Sequence, residues 1–126
     1  MHALRNIHAA LAPGGILVDT QPVSARPPIA SDGGKLGTLD MRDWLGTIHA
    51  VDELVEETIA AGLYELEHES RFVVTDTFDN GSECLETVSA WRGTRVPPGV
   101  SQRLAAASPP VMVQQQVRLR LLRRAE

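Results

Sequence analysis

The chain has 126 residues, of which 43% are hydrophobic and 22% charged, and this balance is typical of one globular domain with a modest core. Its formal net charge of −4 argues against a general affinity for nucleic acid or anionic membranes. Cys84 is the only cysteine, so no intramolecular disulfide can form and the cytoplasm is the expected compartment. No apolar run approaches the roughly 20 residues of a membrane-spanning helix. We therefore treat residues 1–126 as a single domain.

The first elements are predicted to be a short helix, a turn and a strand. Apolar residues recur at helical spacing over Leu4–Leu11, and Pro13–Gly15 suits the end of that helix. The apolar run Ile16–Val18 predicts a strand, Gly15–Gln21, buried on both faces. The carboxyl end of such a strand is where open α/β sheets place their ligand sites. The polar residues at that end are Asp19, Thr20 and Gln21.

The next segment is predicted to be a loop followed by a long helix. Residues 22–35 contain three prolines and the turn sequence Asp32-Gly33-Gly34, and only residues 35–39 suggest a short strand. Asp40 is a suitable helix cap, and an amphipathic pattern then extends to Gly62. A break in this helix is expected near residues 46–47, where Gly and Thr are adjacent.

Two long strands separated by helices are predicted for the rest of the chain. Leu63–Phe78 alternates as a strand does, and the residues after it offer several caps for a helix ending at Gly93. A further short helix opens at Pro97-Pro98. Val111–Arg123 is the last strand, and its arginines are interpreted as a solvated face.

Residues 6–18, N-I-H-A-A-L-A-P-G-G-I-L-V, resemble part of a known protein family. This stretch resembles the helix, Pro-Gly-Gly turn and fifth strand of class I S-adenosylmethionine-dependent methyltransferases. The later order of elements also resembles that family's carboxyl-terminal half. The sequence lacks the family's glycine-rich loop after a first strand and the acidic residue that holds the cofactor ribose.

The resemblance implies an α/β fold, a partial Rossmann-like sheet with a mixed three-stranded core and flanking helices. In that family the last strand is antiparallel and inserts between the fifth and sixth, so the expected order is Gly15–Gln21, Val111–Arg123, Leu63–Phe78. Charge patterning favours the second pairing independently. An antiparallel register sets two carboxylates against two guanidinium groups on an exposed face. These pairs are Glu67 with Arg120 and Glu69 with Arg118.

The substrate-binding candidates are Asp19, Thr20, Gln21 and Arg26. In the resembled family this sheet edge faces the methyl acceptor, and Arg26 in the following loop would suit an acidic acceptor. No residue can be named as a catalytic base, and O-, N- and C-methylation remain open alternatives.

The other chemically notable residues favour structural roles. Gly14-Gly15 precedes a strand rather than a helix, so it is interpreted as a turn and not a phosphate cradle. The four histidines show no metal-type spacing. Cys84 is interpreted as a core residue. Asp76 and Asp79 flank a strand end, and Asp79 is interpreted as a helix cap rather than half of an acid–base pair.

Three functional hypotheses follow. The first is a methyltransferase-like protein whose cofactor in the complete family fold is S-adenosylmethionine, with no cofactor bound and no methyl transferred by this chain alone. The second is a non-catalytic α+β small-molecule-binding or dimerisation module, and the third is a truncated reading frame. A homodimer through the amino-terminal helix and first strand is also expected, because Ile16–Val18 would present an unpaired apolar edge.

Overall fold

The structure is a computed structural model and describes residues 2–125. Helices lie at α1 His2–Ala10, α2 Arg42–Ala60, α3 Gly81–Ser89 and α4 Pro98–Ala105. Strands lie at β1 Ile16–Pro22, β2 Pro28–Ser31, β3 Gly34–Thr38, β4 Tyr64–Phe78 and β5 Val111–Arg124. The α/β class, the predicted first strand and the two predicted long strands are therefore confirmed. Within the described residues, no helix is both long and apolar enough to cross a membrane.

The five strands form one open antiparallel sheet. Its order is β1-β5-β2-β3, and β4 also pairs with β5. In the β1–β5 register Leu17 lies opposite Leu122 and Asp19 opposite Arg120. β5 thus pairs with both β1 and β4, which is the arrangement expected of the last strand.

The sheet is antiparallel throughout rather than mixed as expected. It has five strands rather than three because residues 28–38 form a hairpin, of which the sequence suggested only the second strand. β2 pairs antiparallel with β3 and also with β5, through Ile29 to Ser31. Prolines predicted a loop here, but Pro28 is the first residue of β2, a position that a strand tolerates. The apolar Ile29 is fully buried. Burial of this side chain therefore outweighs the loop preference of the prolines around it.

The long helix also differs from expectation. α2 is continuous from Arg42 to Ala60 and does not break near residue 46. A single helical glycine costs about 1 kcal/mol relative to alanine. Burial of Ile48 and Val55 on the inner face of α2 offsets a cost of this size.

The chain divides into two compact units. Unit 1 comprises the segment up to Pro22, Thr47–Phe72 and the segment from Val117 onward, and unit 2 comprises Val23–Gly46 and Val73–Gln116. The core of unit 1 contains Val55, Tyr64 and Leu122, packed against Leu4, Leu11, Leu17, Val51, Ile59 and Leu63. The core of unit 2 is larger and includes Ile29, Leu39, Met41, Phe78, Cys84, Val88, Val100, Leu104, Val111 and Val113.

The Pro-Gly-Gly segment forms the predicted turn between α1 and β1. Gly14 has φ of +76°, a conformation that favours glycine, and the Gly15 N–H donates to the Ala12 carbonyl at 2.8 Å. The strand that follows is not buried on both faces as predicted. Ile16 is 38% and Val18 57% exposed, because α1 and α2 cover only the opposite face of β1, where Leu17 joins the core of unit 1.

Candidate functional site

Four charged side chains of unit 1 form a compact group, which we call the charge cluster: Asp19, Asp52, Arg118 and Arg120. Arg120 Nη2 lies 2.8 Å from Asp19 Oδ2 and 3.1 Å from Asp52 Oδ1. Arg118 donates to both carboxylate oxygens of Asp52, at 2.6 and 3.1 Å. Two positive and two negative charges therefore balance within one layer between the sheet and α2.

The sequence places these groups by two separate periodicities. Alternation along the strands puts Asp19 of β1 and Arg120 of β5 on one face, directly opposite each other. The helical repeat of α2 brings Asp52 over the same face, one turn before Val55 in the core. Gln21, two residues beyond Asp19, donates through Nε2 to Asp19 Oδ1 at 3.1 Å.

Burial makes the charge cluster energetically significant. The side chains of Arg118 and Arg120 are only 8% and 7% exposed. Desolvation raises the pKa of Asp52, but the hydrogen bond and charge of Arg118, with the charge of Arg120, outweigh it, so the pKa of Asp52 is lowered overall. The pKa of Arg118 is raised, chiefly by its hydrogen bond to Asp52. Both residues therefore stay ionised at neutral pH.

Two sequence predictions about the arginines of β5 are wrong. Arg118 and Arg120 were expected on an exposed face, yet both are buried because α2 covers that face of the sheet. Glu67 pairs with Arg123, an exposed position of β5, instead of the buried Arg120, whose partners are Asp19 and Asp52. Glu69 does approach Arg118, but at 3.9 Å it is a long ion pair and the Arg118 Nε has no hydrogen-bond partner among the described residues.

The predicted substrate-binding residues take different positions. Asp19 and Gln21 belong to the charge cluster or contact it, so the carboxylate of Asp19 is already neutralised by Arg120. Thr20 points to the opposite face of β1 and is exposed. Arg26 lies in unit 2, where it is exposed beside a cavity. The structure therefore joins two of the four candidates and separates Thr20 from them.

The cavity in unit 2 has a volume of about 280 Å³ and lies beside the loop before β2. It is lined by Ser24, Arg26, Pro28 and Val73, with Gln115 and its two neighbours on β5. Gln115 is 9% exposed. Its Nε2 donates to Asp76 Oδ2 at 3.3 Å, whereas its buried Oε1 has no hydrogen-bond partner within the described residues.

Asp52 in the charge cluster and Gln115 in the cavity of unit 2 were not predicted from the sequence. Asp52 belongs to the polar positions of the amphipathic pattern of α2, and nothing in that pattern distinguishes a carboxylate that contacts buried arginines. The buried position of Gln115, in contrast, could have been predicted from the alternation of β5. Gln115 follows Val111 and Val113 on the same strand face, so a polar group was to be expected at a buried position of β5.

The remaining polar candidates have structural surroundings. Cys84 is fully buried, and burial, with a smaller contribution from Glu83, raises the pKa of its thiol to about 11, so it is a poor nucleophile. The helix cap expected at Asp79 is instead Asn80, whose side chain accepts from the Glu83 N–H at 2.8 Å. His8 contacts the ring of Tyr64 edge-on, with ring centroids 5.4 Å apart. Across residues 2–125 no group of three or more metal-ligating side chains occurs.

Comparison with protein-family models and with curated protein sequences returned no match for this chain.

Proposed function

We propose that this chain forms the acceptor-side half of a class I S-adenosylmethionine-dependent methyltransferase fold. The observation that carries the proposal is the position of β5. It is the last strand, it runs antiparallel to β1, and it pairs with both β1 and β4. The resemblance of residues 6–18 to the family's helix, turn and fifth strand implies this insertion of the final strand.

In a complete domain of this kind, catalysis rests on holding an acceptor nucleophile in line with the sulfonium methyl group. In this proposal the residues of the chain position the acceptor, and none of them is assigned as a catalytic base. Asp19 is paired with Arg120, and Cys84 is protonated and buried in the core of unit 2. The polar groups left for an acceptor are those that line the cavity of unit 2, including Arg26 and Ser24.

Methyl transfer by the isolated chain is not expected. Binding of S-adenosylmethionine in the resembled fold needs backbone donors at a glycine loop and a carboxylate for the ribose hydroxyls, and the sequence contains neither motif. Each missing polar anchor forfeits roughly 0.5–1.5 kcal/mol. Isothermal titration of the purified chain with S-adenosylmethionine should therefore show binding no tighter than millimolar. A stoichiometric isotherm with micromolar affinity would show that the chain is not the acceptor-side half of the fold.

The methyltransferase proposal can be tested directly on the DNA sequence of the gene. DNA upstream of the codon for Met1 should encode, in frame, a strand, a G-x-G-x-G loop and a helix. The longer product that includes this segment should bind S-adenosylmethionine at micromolar concentration, and substitution of its first loop glycine should abolish binding. An upstream region without such a segment would overturn the proposal.

A second candidate function, a non-catalytic association module, is favoured by the exposed face of β1. Ile16 and Val18 are exposed there, and their neighbours on β5, Leu119 and Leu121, are only half-buried. β1 also stands at one end of the strand order. An apolar face next to an unpaired strand edge suits pairing with a second copy of the chain.

A further inference from the structure

The strand β4 lies at an outer edge of the sheet. The Arg124 N–H donates at 2.8 Å to the carbonyl of Gly15, which precedes β1. The next N–H, of Ala125, donates at 3.0 Å to the carbonyl of Leu63, which precedes β4. Because successive N–H groups of a strand point to opposite edges, β1 and β4 lie on opposite sides of β5. Among the described strands β4 pairs only with β5, so the backbone groups of its outer edge are available to a further strand.

The first half of this edge, residues 65–72 of unit 1, is open to solvent along its whole length. Apart from the half-buried Ser70, each of these residues is exposed. Leu66 and Phe72 lie on one strand face and are 47% and 43% exposed. Edge strands are commonly short or covered, because a long exposed edge with apolar side chains pairs readily with another chain. Residues 65–72 therefore have the properties of an interaction site for an extended segment.

The other strand face of the same segment is charged. In chain order, alternation places on this face Glu65, Glu67, Glu69 and Arg71. Glu67 already pairs with Arg123. Glu69 is 3.9 Å from Arg118, and Glu65 forms no ion pair among the described residues. Glu65 and Glu69 are therefore largely uncompensated, and the positive Arg71 follows them.

These charges disfavour a second copy of the chain as the partner at this edge. Antiparallel pairing of residues 64–72 with the same residues of another copy places Glu67 opposite Glu69, and does so twice. Like charges that lie directly opposite each other destabilise a strand pair. The complementary partner instead has basic residues opposite the glutamates, an acidic residue opposite Arg71, and apolar residues opposite Leu66 and Phe72.

We propose that residues 65–72 bind an extended basic segment of another protein as an additional antiparallel strand. The segment has charged residues at alternate positions, the acidic one nearest its amino end. Backbone hydrogen bonds to the outer edge of β4 supply the affinity, and the alternate side chains supply the specificity. This binding requires neither methyl transfer nor pairing of two copies through β1. The failure of either of those proposals therefore leaves this one unchanged.

The probe is the acetylated and amidated peptide V-E-T-K-T-K-V-K, whose lysines face Glu69, Glu67 and Glu65 in an antiparallel register. In NMR titrations of the ¹⁵N-labelled chain it should shift the backbone amides of residues 65–72 saturably at millimolar concentration. The charge-inverted peptide V-K-T-E-T-E-V-E and the peptide K-K-K-E-V-T-V-T, which has the composition of the probe without its charge alternation, should bind at least about tenfold more weakly. Absence of saturable shifts with the probe, or equal affinity for the peptide of equal composition, would overturn the proposal.

Variants of the chain distinguish binding at this edge from general attraction of a basic peptide. Glu65→Lys should weaken binding of the probe about fivefold, because two lysines then lie opposite each other. Glu57→Lys makes the same change of net charge at an exposed position of α2 in the same unit, so it should leave the affinity nearly unchanged. Equal affinities of the two variants would contradict binding at residues 65–72.

The backbone hydrogen bonds can be tested with N-methylated probes. Alternate N–H groups of a strand point to the same edge, so methylation of one alternate set of peptide nitrogens blocks pairing with β4, whereas methylation of the other set spares it. One of the two methylated peptides should therefore lose binding at least about tenfold relative to the probe. Undiminished binding of both would show that charge alone holds the peptide, and would overturn the proposal.

Discussion

Asp52 is the residue on which the charge cluster depends most, because it contacts both buried guanidinium groups. Asp52→Asn leaves Arg118 and Arg120 with less compensation in a layer where they are shielded from water. Breaking a buried pair costs about 3–5 kcal/mol, and the partial exposure of Asp52 reduces the expected loss to roughly 2 kcal/mol. Urea unfolding at neutral pH measures this. Glu67→Gln is the control, since its pair with Arg123 is exposed and should contribute under about 1 kcal/mol. Equal losses in the two variants would contradict the assignment.

The same residue predicts a dependence of stability on pH. Because the pKa of Asp52 is lower in the folded than in the unfolded chain, its contribution is fully present above the unfolded value of about 4. This contribution is lost as the pH falls from about 4 through the folded value. The free energy of unfolding should therefore decline on acidification in this range, and Asp52→Asn should show a shallower decline. Parallel curves for wild type and variant would contradict the prediction.

At the scale of the element, α3 shows how one side chain determines where a helix begins. Asn80 accepts from the Glu83 N–H and so satisfies a backbone donor that the helix leaves unpaired. Asn80→Ala should lower the free energy of unfolding by about 1 kcal/mol. Asp79→Ala, one residue earlier, should change it little, because Asp79 is exposed and does not cap α3. Chemical denaturation of both variants decides between them, and a larger effect of Asp79→Ala would restore the sequence prediction.

At the scale of the whole molecule, the exposed apolar face of β1 predicts self-association. The net charge of −4 is too small to suppress pairing of two copies through an exposed apolar face. The wild type should sediment as a dimer, or aggregate, at high micromolar concentration. Val18→Lys should restore the monomer, because a charge on an edge strand opposes pairing. Val73→Lys is matched in residue type and exposure but lies on β4 in unit 2, so it should leave the dimer intact. A monomeric wild type would refute the prediction.

Local physics explains how much of the fold could be predicted from sequence. Strand alternation predicted β4 and β5 nearly to the residue, and Gly62 and the Pro-Gly-Gly turn end helices where their positive φ angles require glycine. β2 was not predicted, because it begins at the second of two adjacent prolines, Pro27 and Pro28, and its four residues form a strand only by pairing with β3 and β5. Short strands of this kind depend on partners far away in the chain.

The charge cluster, too, could be predicted from the sequence only in part. The sequence by itself determined that Asp19 and Gln21 share one strand face, since strand periodicity allows nothing else. Only the tertiary structure decided that this face lies beneath α2, which buries Arg118 and Arg120 and binds them to Asp52, 66 residues from Arg118 in the chain. The physical reason is that alternation specifies which side chains point the same way, whereas burial and charge pairing depend on what packs against that side.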